Sequence, residues 1–192
     1  MIRTSLTDPI RIDDLPLLSG TLGLIFCPGK KASSVNGPHW DRDLEVDLDV
    51  IVAWGADLVV TLMERHEFGL LGVSDLADKI ANREIDWLHL PIRDVDIPDA
   101  GFMQGWKDIS ASLQSRLRRG QKVIVHCRGG LGRTGLVAAM LLVDSGVSAD
   151  LAMAQVRHVR SGTVETRRQE AFVLGYHPQS RHQDIQRPEV SE

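Results

Sequence analysis

Cysteine is scarce in this 192-residue chain, which contains only two. That is too few for a disulfide scaffold or a four-thiolate zinc centre. Aromatic side chains are sparse as well, at 5% with a single tyrosine. The longest apolar run, Leu136 to Val143, falls far short of the roughly 20 residues that span a bilayer. The first twenty residues contain Asp8, Pro9, Asp13 and Asp14 where a secretory leader needs unbroken apolar sequence. Nor is there an excess of positive charge: 22 Lys+Arg against 26 Asp+Glu gives −4, against a general nucleic-acid coat and for a soluble protein. The seven histidines show no metal-ligand spacing. The expectation is a chain with no metal, no cofactor, no nucleic acid and no membrane, in a reducing, cytoplasmic setting. Nothing in the sequence fixes an oligomeric state.

What is present is ordinary globular material, 43% hydrophobic and 25% charged, which excludes global disorder. The length predicts one domain with room for tails. Residues 1–19 are mixed and proline-punctuated and give no firm element. From 20 to 176 the pattern alternates. Strands are predicted at Leu22 to Phe26, Leu58 to Met63, Ile85 to Leu90 and Val123 to Val125. Helices are predicted at Val73 to Ala81, Met103 to Arg118, Arg133 to Asp144, Ala149 to Arg160 and Thr166 to Gly175. Asp43 to Val50 alternates like a strand, but Leu44, Leu48, Ile51 and Val52 share one helical face; we read a helix, with Asp41 as its cap and its acidic residues on the solvated side. Residues 177–192 are polar and aperiodic, and read as a disordered tail. Alternating strands and helices imply an α/β domain, a central mostly parallel sheet flanked by helices.

The informative segment is Val125-His126-Cys127-Arg128-Gly129-Gly130-Leu131-Gly132-Arg133-Thr134-Gly135. It joins a buried strand to a helix, at the strand's carboxyl end, where open α/β sheets place their ligands. Gly129, Gly130 and Gly132 let the backbone curl so that successive N–H groups form an anion nest. The helix beginning near Arg133 adds unsatisfied N–H groups and a positive dipole end. The Arg133 guanidinium can fork onto a tetrahedral oxyanion. Cys127 stands at the start of this nest, in surroundings that favour thiolate over thiol and place it for in-line attack on a bound phosphorus. His126 is expected to fix the loop by hydrogen bonding, and the Thr134 hydroxyl to donate to the sulfur. The segment is no nucleotide-binding P-loop, since Gly-Lys-Ser/Thr is missing from the sequence.

A phosphate ester expels an alkoxide or phenoxide, so a positioned carboxylic acid is also required. Asp94, Asp96 and Asp99 all lie between the strand ending at Leu90 and the next helix, and spacing does not choose among them. Asp99, beside Pro98 and just before the helix, has the look of a cap.

His-Cys followed by five residues, Arg and Thr resembles the signature of the cysteine-dependent protein tyrosine phosphatases, dual-specificity branch. The wording of residues 126–134 is similar to that of the cyclin-dependent kinase inhibitor 3 (kinase-associated phosphatase) family. The likeness extends over about residues 20–176, through Leu22-Gly23-Leu24 with Pro28-Gly29, Pro91-Ile92-Arg93-Asp94 with Pro98-Asp99, and Ser161-Gly162 to Gln169. The resemblance implies the phosphatase fold, a phosphocysteine intermediate without metal, and a phosphorylated protein or peptide as substrate. It implies Asp94 as general acid, ahead of Asp96, and a phosphate cradle of Arg128, Gly129, Gly130, Leu131, Gly132 and Arg133. Many relatives carry a water-positioning glutamine where Glu165 stands, so Gln169 or Glu165 is expected to take that role. Leu131 stands where lipid-directed relatives often have lysine, which disfavours an inositol lipid.

Cys27 reads as a buried small residue, with a resolving thiol as the alternative. His66 and Glu67 read as a surface turn, with a place on the pocket rim as the alternative, and Arg157 and Arg160 as an exposed helical face, with attraction of an acidic substrate as the alternative. The rival readings are a phosphatase of nucleotides, RNA ends or lipids, an oxidoreductase of arsenate-reductase type using Cys27, and a phosphopeptide reader without turnover.

Overall fold

Short, largely apolar runs form the central strands, and the longer 3.6-period segments form the helices between them. A computed structural model describes residues 2–33 and 39–178. In chain order the elements are β1 (Ile2–Arg3), β2 (Asp13–Leu17), β3 (Gly20–Phe26), β4 (Lys31–Ala32), β5 (His39–Asp41), α1 (Leu44–Trp54), β6 (Leu58–Thr61), α2 (Arg65–Leu70) and α3 (Leu76–Ala81). They continue with β7 (Asp86–His89), α4 (Ala100–Arg118), β8 (Lys122–Cys127), α5 (Gly132–Asp144), α6 (Ala149–Val159) and α7 (Arg167–Leu174). Residues 179–192, most of the segment read as a disordered tail, lie outside the described residues.

The main sheet has the order β2-β3-β8-β6-β7, and all its pairings are parallel except β2 with β3. This is the mostly parallel α/β sheet that the alternation implied. Helices cover both faces. On one, Leu22, Leu24, Val60, Val123 and Val125 meet Trp106, Leu113 and Leu117 of α4 and Leu136 to Val143 of α5. On the other, Ile25, Val59 and Ile124 meet Leu48, Ile51, Leu76 and Ile80 of α1 and α3. Residues 132–143 of α5 are all buried, because α4, α6, α7 and the sheet surround it; a helix apolar on every side belongs inside.

Several local expectations are revised. Residues before 20 supply two strands, and β2 pairs along its length with β3. Its inward positions are Asp13, Leu15 and Leu17, so a buried aspartate breaks the apolar alternation, and Pro16 is tolerated because the strand lies at an edge. The helix after β5 is capped by Asp43 rather than Asp41: Asp43 Oδ1 accepts from Glu45 N at 2.8 Å. Its acidic residues are not all solvated. Asp47 is buried, accepts both Arg42 Nε at 2.8 Å and Arg42 Nη2 at 2.7 Å, and accepts Gly29 N at 2.8 Å. Arg42 and Asp47 thus brace the turn that follows β3.

Candidate active site

Four parallel strands end at the same edge of the sheet, so the segments after Phe26, Thr61, His89 and Cys127 gather there. The segment after Cys127 is the glycine-rich loop. Gly130 adopts φ +70°, and a Cβ on it would collide with the main chain of Ile25 and Phe26. Only glycine fits this position. Its N–H donates to Cys127 Sγ at 3.2 Å. At Gly132 a Cβ would press on the Gln169 amide and the Glu165 carboxylate, which locates both those side chains beside the loop. Gly129 is different: no atom lies within 4 Å of its would-be Cβ, so packing does not demand glycine there. Cys127 itself is 3% exposed.

Arg133, in the first turn of α5, is 1% exposed. Its end-on fork is committed to Glu67 of α2, Nη1 to Oε2 at 2.6 Å and Nη2 to Oε1 at 2.9 Å. Nη1 also donates to the Ile92 carbonyl at 3.1 Å. Nε donates to no protein atom among the described residues, and Nη2 meets Asp94 Oδ1 at 2.8 Å. Nε is thus left for an anion, while Asp94 stands against Nη2. Burial opposes the Arg133 charge, but Glu67 outweighs it, aided by Cys127 and Asp94, and the pKa rises. Burial likewise pushes the Glu67 carboxyl up, yet the Arg133 hydrogen bonds prevail and hold it below the ordinary carboxylate range.

Spacing left three aspartates open; their surroundings separate them. Asp94 reaches Arg133. Asp96 is turned to Arg168, with Oδ1 at 2.6 Å from Nη1. Asp99 is the N-cap of α4, accepting Phe102 N at 2.8 Å. Between the first two, Val95 closes a turn in which Asp96 N donates to Arg93 O at 3.2 Å, and it adopts φ +59°. A residue with positive φ at this place reverses the chain sharply, and the two carboxylates end on different partners.

Other expected residues are placed differently. His126 is the register partner of Thr61, and its Nε2 shares a 2.7 Å hydrogen bond with Thr61 Oγ1, which also accepts Trp87 Nε1 at 2.9 Å. The ring ties β8 to β6. Burial lowers its pKa to about 4, the Cys127 main chain pulling the other way. The Thr134 hydroxyl is buried without a hydrogen-bond partner among the described residues, and the sulfur accepts from Gly130 N. Gln169 links the loops: Oε1 accepts from Glu165 N at 3.1 Å and Thr166 N at 3.3 Å, and Nε2 donates to Asp96 O at 3.0 Å. The Arg128 side chain and Gly129 are exposed, and Leu131 immediately precedes α5.

Two charged groups are more deeply engaged than local pattern predicts. Glu67, read as part of a surface turn, is buried and paired with Arg133 across 66 positions. The available signal was Glu64 and Glu67 three apart, which form a reciprocal capping box. Arg160, read as exposed, is 13% exposed and donates to the loop at Gly130 O. Cys27 is buried, as expected, in a different core cluster from Cys127, just past the register pair of Phe26 with Cys127. Burial pushes its thiol pKa well up.

Residues 41–173 match the Swiss Army Knife protein, DSP-PTPase phosphatase domain family (PTP-SAK). The chain belongs to that family. It is also 34% identical over 167 residues to cyclin-dependent kinase inhibitor 3 of Mus musculus, covering 84% of this chain and 75% of that one. Among solved structures it is similar to kinase associated phosphatase with its catalytic site cysteine substituted by serine, at TM-score 0.76 and 29% identity over 86% and 93% of the two chains. Tk-PTP in its active form matches at TM-score 0.62 and 31% identity, over 84% and 93%. The general activity of this phosphatase family is cysteine-dependent hydrolysis of phosphotyrosine, without metal. No helix of the described residues is long and apolar enough to cross a membrane.

Proposed function

We propose that this phosphatase acts on phosphotyrosine, and also on phosphoserine and phosphothreonine, in a protein or peptide, with Cys127 as nucleophile and Asp94 as general acid. Cys127 Sγ bonds to phosphorus while the bond to the leaving oxygen breaks and Asp94 delivers its proton to that oxygen. The loop amides from Arg128 to Arg133 and the side-on face of Arg133 take the equatorial oxygens. In the second step water bonds to phosphorus, its proton passes to the Asp94 carboxylate, and the S–P bond breaks. The departing thiolate is a strong acceptor, which gives the Thr134 hydroxyl its partner. Gln169, with one Nε2 hydrogen uncommitted, and Glu165 orient the water. The supporting observation is the 2.8 Å ion pair between Asp94 and Arg133 Nη2: a carboxylate from a separate loop stands beside the guanidinium that would hold the oxyanion. A phosphopeptide reader would have no use for that carboxylate.

We further place the catalytic unit at residues 20–176 joined by β2, in the cytoplasm, where both thiols stay reduced. The relatives' names tie them to kinases, and a phosphorylated kinase is the first protein substrate to try. The test is turnover of p-nitrophenyl phosphate in chelator. Cys127→Ser should be inactive. Asp94→Ala should lose about 10²–10⁴-fold in kcat while binding oxyanions at least as tightly, because Arg133 Nη2 is released. Unchanged turnover in Asp94→Ala would move the acid role elsewhere.

A further inference from the structure

Gly130 is held on three sides. Its α-carbon lies against the β3 main chain, its N–H points at Cys127 Sγ, and its carbonyl accepts Arg160 Nε at 2.7 Å. Arg160 follows α6 with an extended backbone, φ −135° and ψ 98°. It is anchored from behind: Nη1 lies 2.6 Å from Asp13 Oδ2 on β2 and 3.4 Å from the Leu24 carbonyl on β3. Asp13 is 8% exposed. An N-terminal strand, the central sheet and the end of α6 therefore converge on one loop carbonyl through one guanidinium.

In a trans peptide the C=O and the following N–H point in opposite directions, and no peptide bond among the described residues is cis. Drawing the Gly130 carbonyl toward Arg160 therefore turns the Leu131 N–H to the other side. Without this tie the carbonyl of a glycine, free to rotate, could swing toward the bound anion and present a lone pair where a donor is needed. We infer that Arg160, anchored by Asp13, is a positioning residue for the phosphatase loop, setting the Gly130–Leu131 peptide so that its N–H serves the oxyanion. The inference rests on the assignment of the 127–133 loop as the phosphate site.

The experiment compares wild type, Cys127→Ser, Arg160→Met, Arg160→Lys and Asp13→Asn by thermal midpoint, affinity for inorganic tungstate, and kcat and KM for p-nitrophenyl phosphate. Arg160→Met should bind tungstate about 10-fold more weakly, the scale of one lost charge-assisted hydrogen bond. Its kcat should fall at least as much as KM rises, since a misaligned donor is felt most in the transition state. Asp13→Asn should show the same pattern, more weakly. Arg160→Lys keeps a charge for Asp13 but cannot serve Asp13 and Gly130 together, so it should recover the thermal midpoint before it recovers tungstate affinity. If Arg160→Met does not fold, Arg160→Lys decides. Tungstate affinity and kcat within twofold of wild type in a folded Arg160 variant overturn the inference while Cys127→Ser stays dead. Activity retained in Cys127→Ser would instead overturn the site assignment, and this inference with it.

Discussion

Replacing Glu67 by glutamine changes almost no volume and removes one charge, directly against the guanidinium of Arg133. The two side chains are 4% and 1% exposed, so water cannot compensate. Glutamine can accept from one Arg133 nitrogen, but its amide N–H groups then face the other, donor against donor. Breaking a buried ion pair from one side costs about 3–5 kcal/mol. The lower end applies, because Asp94 stays 2.8 Å from Nη2 and the Ile92 carbonyl stays on Nη1. At about 2–4 °C per kcal/mol for a domain of this size, Glu67→Gln should melt roughly 6–12 °C below wild type. The pH dependence has a definite sign. A carboxyl whose folded pKa is depressed gives stability that is present above its unfolded value and lost as pH falls through the folded one. Wild type should therefore lose stability more steeply than Glu67→Gln below about pH 4.3. Loss of the end-on clamp frees the side-on face to rotate, and kcat/KM should drop about 10–100-fold. Thermal unfolding at pH 7 and pH 4 together with aryl phosphate kinetics measures all three. A midpoint within 2 °C of wild type and kcat/KM within a factor of two would refute the claim that Glu67 organises Arg133.

Two further predictions concern buried groups. His126, with a pKa lowered from 6.5 to about 4 by burial, is neutral in the folded chain. Its contribution is present above pH 6.5 and lost as pH falls toward 4, up to about 3 kcal/mol. Urea unfolding of wild type and His126→Asn should diverge in slope across that window; parallel curves would contradict it. The two adjacent loop glycines should behave oppositely. Gly130→Ala, forced into a positive φ and against the β3 main chain, should abolish oxyanion binding, whereas Gly129→Ala, with open space at its Cβ, should keep kcat within a few-fold. Equal losses in both would count against the loop geometry.

The parts of this fold legible in the sequence are those written locally. The strand–turn–helix at Val123 to Asp144 shows in an apolar run, four glycines and a helical period, and the alternation around it implies the parallel sheet. What local pattern does not carry is pairing across the chain. Glu67 meets Arg133 66 positions away and Arg160 meets Gly130 30 positions away; each looks like a solvated charge until the sheet brings them together. Asp47 differs from its local pattern for the same reason, since Arg42 folds back onto it. The three aspartates after β7 differ only in their partners, so a resemblance singled out Asp94 and spacing could not. Thr134 shows a limit of another kind: the sequence places its hydroxyl one residue after Arg133, but does not say whether it meets an acceptor, and among the described residues it meets none.

The most direct measurement is acid quenching of the wild-type protein during turnover of an aryl phosphate, followed by mass analysis of the peptide containing Cys127. A thiol-linked phosphoryl group on that cysteine, absent from Cys127→Ser, is the predicted result. Steady turnover with the label on another side chain, or with none in a quench fast enough to catch the burst, would contradict the account.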